Sequence, residues 1–192
     1  MNYTDKEIEI RLDTALRTLY LKDSHLLKNS VHERSLTHKL AEYLQQLFPE
    51  YNVDCEYNLD IDDESKRKKW VSEKAKEKLI ELLNEFKTIK TENWNLSEEI
   101  EKVSKNFYPD IIVHKRGSNK NNLFVIEAKK NGADTSFDKE KLIAFTNNKD
   151  KIHRYKYQLG AIVSFDVGKE ITDFNFTKPI YFKNGEEAKQ KK

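Results

Sequence analysis

Cysteine occurs once in 192 residues, as Cys55. A lone thiol closes no internal disulfide and has no cysteine partner for a zinc site, which points to a reducing compartment and makes Cys55 a small buried hydrophobe. Glycine occurs five times and proline three times. The glycines form neither a phosphate-cradling loop nor a Gly-x-Ser-x-Gly elbow, which excludes P-loop and α/β-hydrolase chemistry. The histidines have no HExxH or Cys/His spacing, so His32, His38 and His114 read as polar or capping residues rather than ligands. No apolar run is long enough to span a bilayer, and MNYTDKEIEI is acidic where a secretory signal is basic and then apolar. The expectation is a cytoplasmic protein with no membrane partner. Charged residues make up 35% of the chain, yet the net charge is only +2. No overall basic excess announces a nucleic-acid partner, so any such reading must come from local features.

What is present is ample apolar material: 37% hydrophobic and 11% aromatic residues fill one core in a single domain spanning 1–192. Helical spacing of Ile8, Leu12, Ala15, Leu16 and Leu19 predicts a helix over 5–20. A connection follows, and Ser30 with Glu33 forms a capping-box pattern ahead of Val31, Leu36, Leu40, Leu44 and Leu47, a helix ended by Phe48-Pro49. Alternation over 51–57 predicts a strand. Residues 59–105 change composition, with a charge run and then an amphipathic helix carrying Val71, Ala75, Leu79, Leu82, Leu83 and Phe86; this is a helical insertion on a core of about 31–58 and 106–183. Two strands, 110–114 and 123–128, flank the turn-rich KRGSNKNN. A helix over 136–148, the strand LGAIVSF and an extended DFNFTKPIYF follow, with 184–192 as a frayed tail. The order gives an α/β fold with a mixed sheet: a hairpin of the second and third core strands, then a parallel crossover to the fourth through a helix.

The hairpin carries the chemistry. With its turn centred near Ser118-Asn119, position 110 lies opposite 127, so Asp110 and Glu127 share a level on adjacent strands. Alternation places Leu123, Val125, Glu127 and Lys129 on one face, which begins as core and ends in a carboxylate and an amine. Two converging carboxylates repel each other and are best held by a hard, oxygen-preferring divalent cation, Mg²⁺ or Mn²⁺. A lysine beside that cation can position or deprotonate a water for attack on a phosphodiester. Glu33 lies three residues before Leu36 and seven before Leu40, on the buried stripe of its helix, where a carboxylate needs a cation or a hydrogen-bond partner. Glu-x-Lys also occurs at Glu64/Lys66, Glu85/Lys87 and Glu187/Lys189, but none of those follows a strand-like apolar run. Tyr155 and Arg154 fall at the far end of the fourth strand and read as structural, whereas Tyr57 and Asn58 end the first strand, where they could reach the site.

Pro109-Asp110, a spacer, and Glu127-Ala128-Lys129 resemble the signature of the PD-(D/E)XK nuclease superfamily, and the element order resembles its restriction-endonuclease-like αβββαβ core. The match covers roughly 31–166; HERSLTHKLAEYL and VDCEYN are also similar to a set of uncharacterised bacterial proteins of about this size. The resemblance implies a Mg²⁺-dependent nuclease acting on nucleic acid, DNA foremost, with Mn²⁺ as a substitute. Asp110 and Glu127 would bind metal, the Ala128 carbonyl would join them, Lys129 would assist the water, and Glu33 would supply the helix glutamate many members add. One chain offers one such site, so double-strand cutting implies a homodimer or two events. The alternative is a non-catalytic nucleic-acid-binding or interaction module that keeps the fold.

Overall fold

The computed structural model describes residues 3–60, 68–89, 104–149, 155–168 and 176–189. The charge run at 61–67 (with Glu64/Lys66), Arg154 and the start of the DFNF stretch lie outside them.

Three helices come first: α1 (Asp5–Lys22), α2 (Ser24–Lys28) and α3 (Glu33–Leu47). Thr4 opens α1 as a capping box with Glu7, which satisfies two amide groups the first turn would otherwise leave unpaired. Ile8, Leu12, Ala15 and Leu19 then recur along one buried face. The expected box at Ser30 does not form. Ser30 takes a left-handed φ of 48°, and the cap of α3 is His32, whose Nδ1 accepts from the Arg34 amide at 3.2 Å. The segment expected to be a plain connection holds α2, because Leu27 buries completely beneath it.

One sheet contains β1 (Asn52–Cys55), β4 (Ile111–His114), β5 (Phe124–Lys130), β6 (Leu159–Phe165), β7 (Ile180–Lys183) and β8 (Glu186–Glu187), in the order β1-β4-β5-β6-β7-β8. All its pairs are antiparallel except β5–β6, which is parallel through α5 (Ser136–Thr146). The sheet is mixed, and the chain is α/β as its element order implies. Between β1 and β4 the insertion supplies α4 (Glu73–Ile89) and a two-stranded ribbon of β2 (Lys69–Trp70) and β3 (Lys105–Asn106). The tail expected to fray pairs instead: Asn184 and Gly185, both at positive φ, turn the chain so that β8 joins β7. Asn-Gly suits this turn because both central residues need a left-handed backbone.

The two faces of the sheet bury different partners. Ile111, Val113, Phe124, Ile126 and Ala128 face α1 and α3, whereas Ile112, Val125 and Ile162 face α5 through Leu142 and Phe145. Leu123, expected beside Val125, belongs to the α1/α3 side, because it precedes β5 and alternation holds only within the strand. Gly160 of β6 lets α5 approach closely: a Cβ there would meet Leu142 and Thr146 at 3.2 Å. That close approach brings the first turns of α5 over β5.

Candidate active site

Ile111 pairs with Ile126, Ile112 with Val125 and Val113 with Phe124. Extending that ladder one step sets Asp110 opposite Glu127, the register expected from the turn. Val125 points toward α5, so Glu127, two residues further along β5, points there too, while Asp110 stands one residue ahead of β4. Asp110 Oδ2 accepts the Ala128 amide at 2.7 Å, which ties the acid to the neighbouring strand.

Behind it Glu127 is only 2% exposed. Its Oε2 accepts from Lys141 Nζ at 3.1 Å, and Oε1 is buried with no hydrogen-bond partner among the described residues. Lys141 also donates to Asp138 Oδ1 at 3.0 Å, and Lys129 Nζ lies 3.4 Å from Asp138 Oδ2 and donates to the Ala128 carbonyl at 3.2 Å. Glu33, the first residue of α3, is half-buried. Its Oε2 accepts the Lys130 amide at 3.1 Å, while Lys130 Nζ donates to the Ser30 carbonyl at 2.9 Å. The start of α3 is thereby fastened to the end of β5.

Asp110 and Glu33 line a cleft of about 590 Å³ with His32, Arg34, Thr37, Cys55, Glu56 and Tyr108. Glu127 and Lys129 are not part of its lining. Arg34 and Glu56 form an ion pair at 2.7 Å. Cys55 is exposed there rather than buried, because β1 is the edge strand and the thiol lies on the cleft side. Protein crowding on its other flank and the charges of Asp110, Asp54 and Glu56 push that thiol up to about 11.

The electrostatics are those of a crowded acidic site. Burial pushes Glu127 well above the ordinary carboxylate range, and Asp110 adds to the rise against the pull of Lys141. Burial also raises Asp110; the Ala128 amide and Lys129 oppose it, and Glu33 and Asp138 reinforce it. Lys129 moves up although burial works against its charge, because Asp138, Asp110, Glu127 and Glu33 outweigh burial. The surrounding acids thus favour its ammonium form, which can donate to an oxygen. The four carboxylates face two ammonium groups, Lys129 and Lys141, which leaves an excess of two negative charges when all are ionised.

No match came from a scan against protein-family models or from a search of curated proteins. The geometry therefore carries the functional argument. No group of three or more His, Cys, Asp or Glu side chains among the described residues is disposed to hold a metal. Mg²⁺ asks for less, since it keeps several waters and is commonly held by one or two carboxylates. Asp110 and Glu127 each commit one oxygen to the protein, and the second Glu127 oxygen is buried and unbonded. Those oxygens are donors of the kind a small divalent ion takes, and such an ion would offset the excess charge.

The structure brings Asp110, Glu127, Ala128, Lys129 and Glu33 to one end of the sheet. Tyr57 goes elsewhere: its ring lies 4.7 Å from that of His114. His32 and His114 have polar roles, a helix cap and a 2.9 Å contact with Asp54, and Tyr155 is buried against Phe145. Asp138 and Lys141 are the site residues that sequence reasoning missed. Asp138 is spaced four and seven residues before the buried Leu142 and Phe145, so an acid on the apolar stripe of the helix after Glu-x-Lys was the available signal.

Proposed function

We propose that this chain is a Mg²⁺-dependent nuclease of the PD-(D/E)XK kind, with Mn²⁺ as a substitute, which hydrolyses phosphodiester bonds of nucleic acid, DNA foremost. One observation carries the reading. Asp110 and Glu127 stand one step beyond the last ladder pair and repel each other electrostatically, Asp110 lines an open cleft, and a buried Glu127 oxygen has no partner among the described residues. A buried polar atom left unbonded costs about 1–3 kcal/mol, so it points to a group this arrangement is built to take.

Asp110, Glu127 and the Ala128 carbonyl would hold the ion, with Glu33 at its margin. When bound, a divalent ion supplies positive charge against the phosphoryl oxygens of the substrate. Lys129 orients the attacking water toward phosphorus; as that oxygen bonds to phosphorus the bond to the leaving oxygen breaks, the water's proton passes to bulk water and the leaving oxygen takes one up from it. Asp138 holds Lys129 in place for that task, and Lys141 holds Glu127. Arg34 and Tyr108 stand in the cleft where a phosphate and a base of the substrate would lie. A chain with one such site cuts both strands as a homodimer or in two events. We place it in the cytoplasm on its single thiol; no helix among the described residues is long and apolar enough to cross a membrane.

A second reading has its own support: Lys141 and Lys129 already satisfy part of the acid cluster, as they would in a non-catalytic nucleic-acid-binding module that keeps the fold. Labelled DNA and RNA, single- and double-stranded, incubated with Mg²⁺, Mn²⁺ or EDTA, separate the two. Cleavage that needs the metal and vanishes in Asp110→Ala supports the nuclease. Binding with no cleavage under any metal supports the module, and equal cutting by wild type and variant marks a contaminating enzyme.

A further inference from the structure

The two oxygens of Glu127 differ sharply in what they touch. Oε2 meets the Lys141 ammonium at 3.1 Å, and Oε1 meets no donor among the described residues. The ammonium has further partners: Asp138 Oδ1 lies at 3.0 Å, and the rings of Phe137 and Phe107 lie 5.1 and 5.3 Å from Nζ. Two carboxylates and two aromatic faces form a seat for a cation, and a side chain of this protein fills it. The seat is also anchored, because α5 packs against β6 at Gly160.

We propose that Lys141 takes the place of a second metal ion, so that the site accepts one divalent ion per chain and Lys141 acts as the positioning residue that keeps Glu127 Oε1 free for it. This rests on the nuclease reading above. Sites with two ions set them about 3.5–4 Å apart and share a carboxylate between them. Here the bridging oxygen is already spent on an ammonium. A second dication beside it would meet an uncompensated positive charge in a poorly solvated interior, where like charges repel strongly. Asp110 is less suited to the bridge, since its Oδ2 already accepts the Ala128 amide at 2.7 Å.

The test is a count of bound Mn²⁺ per full-length chain, from the spectrum of free Mn²⁺ in a titration, on wild type, Lys141→Met and Lys141→Arg. Wild type and Lys141→Arg should bind one ion. Lys141→Met keeps the length of the side chain without its charge and should bind two, with a larger rise in Tm on adding Mn²⁺. Two ions on wild type would overturn the inference and leave the nuclease reading standing. None on wild type would overturn both. A single ion on Lys141→Met at unchanged affinity would show that Lys141 merely supports the fold. Should Lys141→Met fail to fold, Lys141→Gln, also uncharged, takes its place: two ions are expected, and one ion at unchanged affinity overturns the inference.

Discussion

Asp54 on β1 and Asp110 at the head of β4 belong to one antiparallel ladder, yet their surroundings act on them in opposite senses. Burial disfavours ionisation of both. At Asp54 the Arg116 guanidinium and the His114 ring, with Arg116 Nε at 2.9 Å and His114 Nε2 at 2.9 Å, outweigh burial and hold the acid below its usual range. At Asp110 the nearest help is an amide and one shared lysine, three further carboxylates stand around it, and the acid sits above its usual range. The first cluster is closed and stabilises the fold, whereas the second stores electrostatic cost beside a cleft. Functional sites are where such cost accumulates, because a ligand can relieve it.

The largest contrast is in cleavage. Asp110→Ala should abolish metal-dependent cutting, with partial recovery at high Mg²⁺, whereas Asp54→Ala should cut within about twofold of wild type, since Asp54 touches neither metal donors nor cleft. A time course on one labelled substrate measures both. Lys129→Ala comes next: its rate should fall by ~10²–10⁴-fold, the usual loss for a positioning or proton-handling group, with metal and nucleic acid still bound in a titration.

The order reverses for stability. Asp54→Ala leaves His114 and Arg116 without their acceptor and should cost about 1–3 kcal/mol in urea unfolding. Asp110→Asn keeps an acceptor for the Ala128 amide while removing a charge from the crowd, so in EDTA it should melt higher than wild type, by about 2–4 °C for each 1 kcal/mol gained. A melting point at or below that of wild type would mean that the acid cluster carries no stored cost.

The smallest effect is in pH dependence. Burial lowers His114 from its ordinary 6.5, against the pull of Asp54. Below about pH 6.5 the unfolded chain therefore takes up a proton that the folded chain refuses, and stability falls on acidification. Glu127, raised above its ordinary 4.5, does the opposite: the folded chain holds the extra proton, and stability rises on acidification. The two partly cancel in wild type. Glu127→Gln in EDTA should therefore lose stability more steeply between pH 7 and 5, and a slope equal to that of wild type would argue against the shift at Glu127.

The register of Asp110 against Glu127 was legible because a hairpin is governed locally: the position of KRGSNKNN sets which residues face each other. The parallel crossover was legible from a strand-helix-strand order. The Ser30 cap was misread because Ser30 turns left-handed and its carbonyl accepts from Lys130, a partner far along the sequence, while His32 caps the helix. Cys55 was misplaced because strand order, and with it edge position, is a property of the whole sheet. Asp138 and Lys141 act through their partners on β5, and those partners exist only once Gly160 admits the helix. The β7–β8 turn was written in Asn184-Gly185 and went unread.

The bond from the Lys130 amide to Glu33 closes a loop of 97 residues. Closing long loops comes late in folding, after their entropy has been offset by the core between them. The acids and ammonium groups of the site are spread from residue 33 to residue 141, so no shorter folded stretch contains it. A chain still leaving the ribosome has these charges solvated and apart, and the ion pairs of Lys141 with Glu127 and of Lys129 with Asp138 form only when α5 docks.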